Sequence, residues 1–205
     1  MDSPGPPQTP IALLDEFLVV EEWQGLLYYA LTHAPQFHRS QVLNTTGASM
    51  LDTGYRRSSV LFDLGEFHGL FVQRLMTFLP HILFRIGVPE FPVSQVEVQL
   101  TASSDGEFFR AHTDNDSEGV GARLVTFVYF FHTEPRAFSG GELRIFDTVH
   151  NAGRAAATGA YRLVQPLQNQ LVCFPSGCLH EILPVVCPSG AFEHSRFTIN
   201  GWFHQ

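Results

Sequence analysis

The chain has 205 residues, of which 44% are hydrophobic and 13% aromatic, and its net charge is -8, from 12 Lys and Arg against 20 Asp and Glu. This composition is typical of a globular protein with a hydrophobic core, and the negative charge argues against nucleic acid as a partner. No apolar run approaches the roughly 20 residues of a membrane-spanning helix, so we expect no membrane partner. The three cysteines form no C-x-x-C pair, and the N-terminus shows no signal-peptide pattern. Both features favour a cytoplasmic protein.

The first half of the chain predicts helical support for a domain. Residues 1–10 carry four prolines and predict a flexible N-terminus, while 11–205 are expected to form a single domain. Within that domain, 11–92 are the helical support and 93–205 the β core. Apolar residues at three- and four-residue steps predict helices over 11–33 and 67–86, and Pro80 is expected to kink or divide the second. Between the helices, 36–53 predict a loop or weak hairpin and 55–62 a strand.

Eight short β-rich runs dominate the second half of the chain. Turn signals separate them, and no long helix intervenes. This pattern predicts a mainly β fold, a jelly roll or a sandwich. The runs cover residues 93–102, 108–110, 124–132, 142–146, 162–164, 171–174, 180–186 and 196–203.

A His-x-Asp pair, His112 and Asp114, stands at the end of a predicted strand. Residues i and i+2 of an extended segment project to the same face, so the imidazole and the carboxylate converge. His180 is the best third candidate, because it follows a buried strand and a tight turn and opens another strand. Two imidazoles and one carboxylate are the ligand set of non-haem iron(II) oxygenases. We therefore predict that these three residues bind one iron(II) ion.

The segment Arg196-Phe-Thr-Ile-Asn-Gly-Trp carries the second candidate group. A buried arginine at the start of a strand needs an anionic partner, because an unpaired buried charge is costly. Its guanidinium fork matches a carboxylate, and Thr198 shares its face and can add a hydroxyl donor. The alternative is an arginine on a surface strand with no ligand.

Taken together, these motifs resemble the prolyl-hydroxylase branch of the 2-oxoglutarate/iron(II) oxygenases. The order H-T-D, distal His and R-x-T on a chain of short strands carries the resemblance, which covers about residues 94–204. The end of the chain is most similar to ribosomal-protein prolyl hydroxylases and their bacterial relatives, and the hypoxia-sensing prolyl hydroxylases are similar across the same stretch. Further matches are Gly106 and Phe109, Ser139-Gly-Gly-Glu-Leu-Arg-Ile-Phe, Phe174-Pro-Ser-Gly, His180-Glu-Ile-Leu-Pro-Val and Gly201-Trp-Phe-His.

The resemblance implies a double-stranded β-helix, a jelly-roll or cupin-like fold, with helices supporting one sheet. It also implies that 2-oxoglutarate chelates the iron through its keto-acid end and extends its far carboxylate to Arg196. The expected cofactors are Fe(II), 2-oxoglutarate and O2, with ascorbate as a further candidate. Asp114 favours hydroxylation, since halogenases of this type lack the carboxylate.

Two departures from the family pattern affect the expected pocket. Ser103 stands where the family often has a tyrosine, and the turn between His180 and Arg196 is long. Tyr129 or Thr126 could supply the missing hydroxyl to 2-oxoglutarate. Strand phase decides between them, and Tyr129 is the residue type more often used.

The side of the pocket that faces the substrate is expected to include Ser103, Phe109 and Arg57. The segment Arg57-Ser-Ser resembles the family's Arg-and-Ser strand before its support helix.

Three functions are compatible with the sequence. The first is a dioxygenase that hydroxylates a prolyl residue of a protein or peptide, with release of succinate and CO2. The alternative is a hydroxylase of a free amino acid or natural product, which the compact chain allows. The third is a non-catalytic metal-binding module, against which the retention of all three ligands and Arg196 argues.

Overall fold

The computed structural model of the chain describes residues 9–43, 49–116, 120–151 and 154–205. Most of the predicted flexible N-terminus lies outside the described residues. Within these ranges, no helix combines the length and apolarity that crossing a membrane requires. The helices are α1 (Val20–Thr32), α2 (Glu66–Ile86) and the short 3-10 turns Ala34–Gln36 and Phe192–His194.

The strands run along the whole of the described chain. They are β1 (Ala12–Leu14), β2 (His38–Arg39), β3 (Val42–Leu43), β4 (Ser49–Met50), β5 (Arg56–Arg57), β6 (Ser59–Leu61), β7 (Gln95–Ser103), β8 (Phe108–His112), β9 (Arg123–Phe131), β10 (Ser139–Gly140), β11 (Leu143–Asn151), β12 (Arg154–Val164), β13 (Gln170–Pro175), β14 (His180–Ile182), β15 (Val185–Val186) and β16 (Arg196–His204).

The helical prediction over 11–33 is wrong in its first part. Residues 12–14 form β1, which pairs with β13 at the edge of a sheet, and α1 begins only at Val20. The carboxylate of Glu22 accepts a hydrogen bond from the Val19 backbone N–H at 3.0 Å and so caps the start of the helix. A short apolar run fits a helix and a strand equally well. Here the run forms a strand, because it pairs with the free edge of β13.

Helix α2 continues through Pro80, so the expected division of this helix is wrong. Proline removes one intrahelical hydrogen bond. The apolar side chains on either side of it, Leu79 and Ile82, are buried in the core. Their burial on the sheet offsets the lost bond and holds the helix together.

Two large sheets form the double-stranded β-helix that the sequence predicts. One has seven strands in the order β1-β13-β9-β16-β7-β6-β2, and the other has five in the order β12-β11-β14-β8-β5. The single strand predicted over 55–62 divides at Ser58, because β5 joins the five-stranded sheet and β6 the seven-stranded one. The residues at which the chain changes sheets, 56–58, line the space between them.

The two faces of β9 belong to two different cores. Phe127 and Tyr129 face helix α2, where both rings contact Phe71. Val128 and Phe130 face the other way, into a cluster with residues of the five-stranded sheet. This alternation follows from the two-residue period of a strand. Residues with the phase of Val128 therefore face the space between the sheets, and the candidate site lies in that space.

Candidate active site

Two histidines from neighbouring strands meet between the sheets. His112 closes β8 and His180 opens β14, and they are direct partners in the antiparallel pairing, with ring centroids 4.2 Å apart. Nδ1 of His112 lies 2.7 Å from the Arg110 carbonyl oxygen, and Nδ1 of His180 lies 2.9 Å from that of Cys178. A carbonyl oxygen only accepts, so each Nδ1 carries the proton and each Nε2 keeps a free lone pair.

The carboxylate of Asp114 completes the group. Its Oδ1 lies 3.6 Å from Nε2 of His112 and its Oδ2 lies 3.4 Å from Nε2 of His180. The Thr126 hydroxyl donates a hydrogen bond of 2.7 Å to Oδ2 and fixes the orientation of the carboxylate. The three ligand atoms all lie within 4.8 Å of one another, a spacing that lets one metal ion touch all three.

Burial sets the protonation of these groups. It lowers the pKa of His112 to about 3, with His180 adding to the effect, so the imidazole is neutral at physiological pH. Burial alone would raise the pKa of Asp114, but His180, His112 and the Thr126 hydroxyl together hold it below its ordinary value. His112 therefore offers a neutral nitrogen donor and Asp114 an anionic oxygen donor, and together with the imidazole of His180 they fit a divalent first-row metal.

A buried arginine lies in the same space as these three residues. Arg196 is only 2% exposed, and its Nε and Nη2 have no hydrogen-bond partner among the described residues. Its guanidinium lies over the ring of Phe130, 5.0 Å from the centroid. Burial lowers the pKa of Arg196 to about 9, with Glu142 opposing, so the group stays cationic at neutral pH. Two unpaired donors on a buried cation indicate that an anion completes the site.

The glycine turn after β9 makes room for that arginine. Gly141 has a φ of +69°, and a Cβ added there would come within 2.6 Å of Cδ of Arg196. Only glycine adopts this positive φ without strain and also leaves room for the Arg196 side chain. The Ser-Gly-Gly segment, which is one of the matches to the family pattern in the sequence, therefore shapes the pocket.

Polar residues line the cavity along β16 and β7. Thr198 has the same phase as Arg196, and Ser103 is the cross-strand partner of Arg196. Both side chains are buried at the cavity wall, so Ser103 stands beside the guanidinium. The same two-residue step along β16 leads from Thr198 to Asn200 and Trp202, which also line the cavity and were not predicted from the sequence.

Tyr129 does not reach this cavity, so the preference for it over Thr126 is wrong. Its side chain is fully buried on the helix side of β9, where its hydroxyl donates to Oδ1 of Asn169 at 2.9 Å. Thr126 lies three residues away, on the opposite face of the strand, and lines the cavity. Residue type favoured Tyr129, but an odd separation along a strand places the two side chains on opposite faces.

The substrate-side predictions differ in outcome. Phe109 lines the cavity and stacks on His112, with ring centroids 3.6 Å apart. Arg57 is exposed at the cavity edge, and its Nε donates to the Thr53 carbonyl oxygen. Its neighbour Arg56 extends inward instead, over the ring of Phe109. Arg57 was predicted because of the two serines that follow it, and the sequence of so short a strand does not reveal which of the two arginines faces inward.

Two spaces meet at the three converging side chains. An inner cavity of about 70 Å³ extends from them to Arg196. An outer groove of about 650 Å³ opens to the surface. Their shared lining residues are Arg56, Gln99, Phe109, His112, Asp114 and Trp202. The site therefore has a small inner compartment that ends in a cation and a wide outer one.

Comparisons of the sequence agree with this geometry. The model of the 2OG-Fe(II) oxygenase superfamily matches residues 98–204. An uncharacterized PKHD-type hydroxylase of Synechocystis sp. is 38% identical over 194 residues, which cover 94% of this chain and 62% of that protein. The chain thus spans less than two thirds of the length of this relative.

Solved structures with the same fold include a prolyl-4-hydroxylase of Pseudomonas putida, with a TM-score of 0.69 and 20% identity over 96% of this chain and 94% of that one. A prolyl hydroxylase of Trichoplax adhaerens, in complex with a hypoxia-inducible-factor degradation-domain peptide, has a TM-score of 0.68 and 16% identity over 96% of this chain and 84% of that one. Structures this distant in sequence support the fold, and the family match supports the assignment. The chain belongs to the 2OG-Fe(II) oxygenase superfamily.

Proposed function

We propose that the chain is an Fe(II)- and 2-oxoglutarate-dependent dioxygenase that hydroxylates a prolyl residue of a protein or peptide, with O2 as cosubstrate and with release of succinate and CO2. One observation carries the proposal: three metal-ligand atoms and a buried cation with two free donors share one cavity. A metal site alone would also fit a structural metal, and a buried cation alone would fit any anion. Their combination fits a small dicarboxylate held between the metal and the arginine.

His112, Asp114 and His180 would hold the iron. Their Nε2 lone pairs and the Asp114 carboxylate face one point, and their Nδ1 hydrogen bonds fix both rings in that orientation. Three protein ligands leave coordination positions open, as oxygenase chemistry needs. Together, Fe(II), 2-oxoglutarate and O2 supply the oxidising power that breaks an unactivated C–H bond.

Arg196 would bind the far carboxylate of 2-oxoglutarate through its Nε and Nη2, with Ser103 and Thr198 as neighbouring hydroxyls. Because this fork is buried, its hydrogen bonds to a carboxylate form without competition from water. Thr126 would act through Asp114, whose oxygen it already binds. The apolar wall that includes Val128 and Leu143 would keep water out of the reaction.

The outer groove supports a peptide as the substrate. Its volume of about 650 Å³ exceeds what one amino acid needs, and it opens to the surface beside the proposed iron site. One structural relative carries a bound peptide. A free amino acid remains the second candidate, since the groove would admit it too. The three cysteines are free thiols, which supports the cytoplasm as the compartment.

Succinate formation tests the proposal. The metal-loaded protein, with ascorbate present, is offered 2-oxoglutarate with proline-containing peptides and, separately, with free L-proline. We expect peptide-stimulated succinate and a product 16 Da heavier, the mass of one oxygen atom. Stimulation by free L-proline alone would replace the peptide with the second candidate. No 2-oxoglutarate-dependent product with any substrate would contradict the proposed activity.

Asp114→Ala tests the iron assignment, with Asp116→Ala as the matched control. Asp116 is an exposed carboxylate two residues further along the chain. We expect Asp114→Ala to lose stoichiometric metal binding and turnover, while Asp116→Ala keeps the metal. Turnover by Asp114→Ala would show that the ligand is wrongly assigned.

A further inference from the structure

Arg56 occupies the junction between the inner cavity and the outer groove, and it lines both. Its guanidinium lies 4.7 Å from the centroid of Phe109, whose ring in turn stacks on His112. Its Nε donates to the Ser58 hydroxyl at 3.1 Å. These contacts hold a fixed positive charge at the entrance to the inner cavity, beside the proposed iron ligands.

The other arginines of the groove already have carboxylate partners. Arg123 makes a two-pronged contact with Glu97 at 2.7 and 2.8 Å, and Arg39 pairs with Glu107. Arg56 has no carboxylate within ion-pair distance among the residues that the structure describes. Its terminal nitrogens therefore remain available to a ligand in the groove.

The charge on Arg56 is costly where it stands. Burial lowers the pKa of Arg56 to about 10, and the nearby Asp114 carboxylate opposes that shift. The group is therefore cationic at neutral pH, and the Asp114 carboxylate acts on it from beyond ion-pair distance. A buried cation that loses its counter-charge is strongly destabilising.

A metal ion in the site would draw on that same carboxylate. Fe(II) held by the two imidazoles and the Asp114 carboxylate would keep one net positive charge, which the near carboxylate of 2-oxoglutarate would cancel. The far carboxylate would neutralise Arg196. Among the described cations that line the pocket, Arg57 is exposed to water at the cavity edge, whereas Arg56 extends inward and would then lack a counter-charge.

We infer that Arg56 binds a carboxylate of the primary substrate at the junction between the outer groove and the inner cavity. The inference rests on the proposed function and deepens it by naming the substrate class. The carboxylate has two sources: the α-carboxylate of a free or C-terminal proline, or the side chain of an acidic residue beside proline in a peptide. Guanidinium binds both in the same two-pronged way.

Paired ligands that differ only in this carboxylate test the inference. One pair is N-acetyl-L-proline and N-acetyl-L-prolinamide, and the other is acetyl-Ala-Pro-Glu-amide and acetyl-Ala-Pro-Gln-amide. Binding to the anaerobic Fe(II)–2-oxoglutarate protein is measured by calorimetry, which needs no turnover. We expect the carboxylate member of one pair to bind roughly 10- to 100-fold more tightly, the range for one charge-assisted contact. The pair that shows the preference identifies the source.

Arg56→Gln should abolish this preference without weakening 2-oxoglutarate binding. The control is Arg85→Gln, which removes an exposed arginine from the last turn of α2, outside the lining of both spaces, and should keep the preference. Arg56→Lys serves if the glutamine variant does not fold, because it keeps the charge but loses the fork and should reduce the preference.

Two results would overturn the role of Arg56. One is a wild-type protein that binds neither member of either pair or binds both members equally. The other is a preference that Arg56→Gln retains. A different result would contradict the proposed function, namely that 2-oxoglutarate is not consumed with any substrate. The ratios of the binding constants would still test the role of Arg56 in that case, because they need no turnover.

Discussion

Replacing Arg196 with methionine separates the binding role of this residue from any structural one. Methionine keeps much of the length of the side chain and removes the charge and both unpartnered donors, Nε and Nη2. If these donors hold the far carboxylate of 2-oxoglutarate, the variant loses two charge-assisted hydrogen bonds of about 1.5–3 kcal/mol each. The dissociation constant for 2-oxoglutarate should then rise by roughly two to four orders of magnitude.

The same substitution should leave the thermal stability of the ligand-free protein unchanged or raise it. The guanidinium is 2% exposed, and its ion-pair partner is missing in the protein without 2-oxoglutarate. Replacing an uncompensated buried charge by an apolar side chain is neutral or stabilising, by up to about 3 kcal/mol. The ligand-free Arg196→Met protein should therefore melt at the same temperature as the wild type or higher.

Calorimetric titration of 2-oxoglutarate into the Mn(II)-loaded protein, without O2, measures the affinity, and thermal unfolding measures the stability. Arg144→Met is the control, because Arg144 pairs with Glu181 outside the cavity. That variant should leave 2-oxoglutarate affinity unchanged. An affinity of Arg196→Met within threefold of the wild type would refute the role assigned to this fork.

Three further predictions follow from the hydrogen bonds and pKa values of the site. Thr126→Val removes the donor to Asp114 and should weaken metal binding by roughly 10- to 100-fold, measured by competition with a chelator. Tyr129→Phe removes the bond to Asn169 and should cost about 1 kcal/mol of unfolding free energy, with 2-oxoglutarate affinity unchanged. The folded-state pKa of His112 is about 3, below its ordinary 6.5, so the unfolded chain binds a proton first on acidification. Stability of the metal-free protein should therefore fall as the pH drops below 6.5, with His112 contributing roughly 3 kcal/mol by pH 4.

Each of these predictions has a contrary result. Unchanged metal affinity in Thr126→Val would mean that the carboxylate of Asp114 needs no orienting hydroxyl. A loss of 2-oxoglutarate affinity in Tyr129→Phe would show that the Tyr129 hydroxyl contacts 2-oxoglutarate. An acid dependence between pH 6.5 and 4 that is no shallower in His112→Gln than in the wild type would assign it to other groups.

The proposed metal ligands could be found from the sequence because each lies at the end of a strand with a local signal. His112 and Asp114 are two residues apart, so local geometry brings these two together. His180 was the best third candidate because it follows a tight turn, and it joins them through the pairing of β14 with β8. Arg196 was recognisable because it opens a predicted strand and begins the R-x-T pattern that carries the family resemblance. The orphaned donors of Arg196 in the structure agree with that reading.

The features that the sequence did not predict depend on which face of a strand a side chain occupies. Tyr129 was preferred over Thr126 by residue type, and only the packing of β9 on helix α2 shows that Tyr129 faces the helix. Arg56 and Arg57 are adjacent, and β5 contains only these two residues. A strand this short has no hydrophobic alternation from which its phase could be read. Its pairing with β8 sets the phase.

The central claim is that one cavity holds the metal and 2-oxoglutarate together. Its most direct test is the structure of crystals grown without O2 in the presence of Mn(II) and 2-oxoglutarate, with the metal located by its anomalous scattering. We expect one peak at about 2.1 Å from Nε2 of His112, from Nε2 of His180 and from one oxygen of Asp114, with the far carboxylate of 2-oxoglutarate on Arg196. A metal bound by other residues, or a 2-oxoglutarate molecule that leaves Arg196 unpaired, would contradict the account.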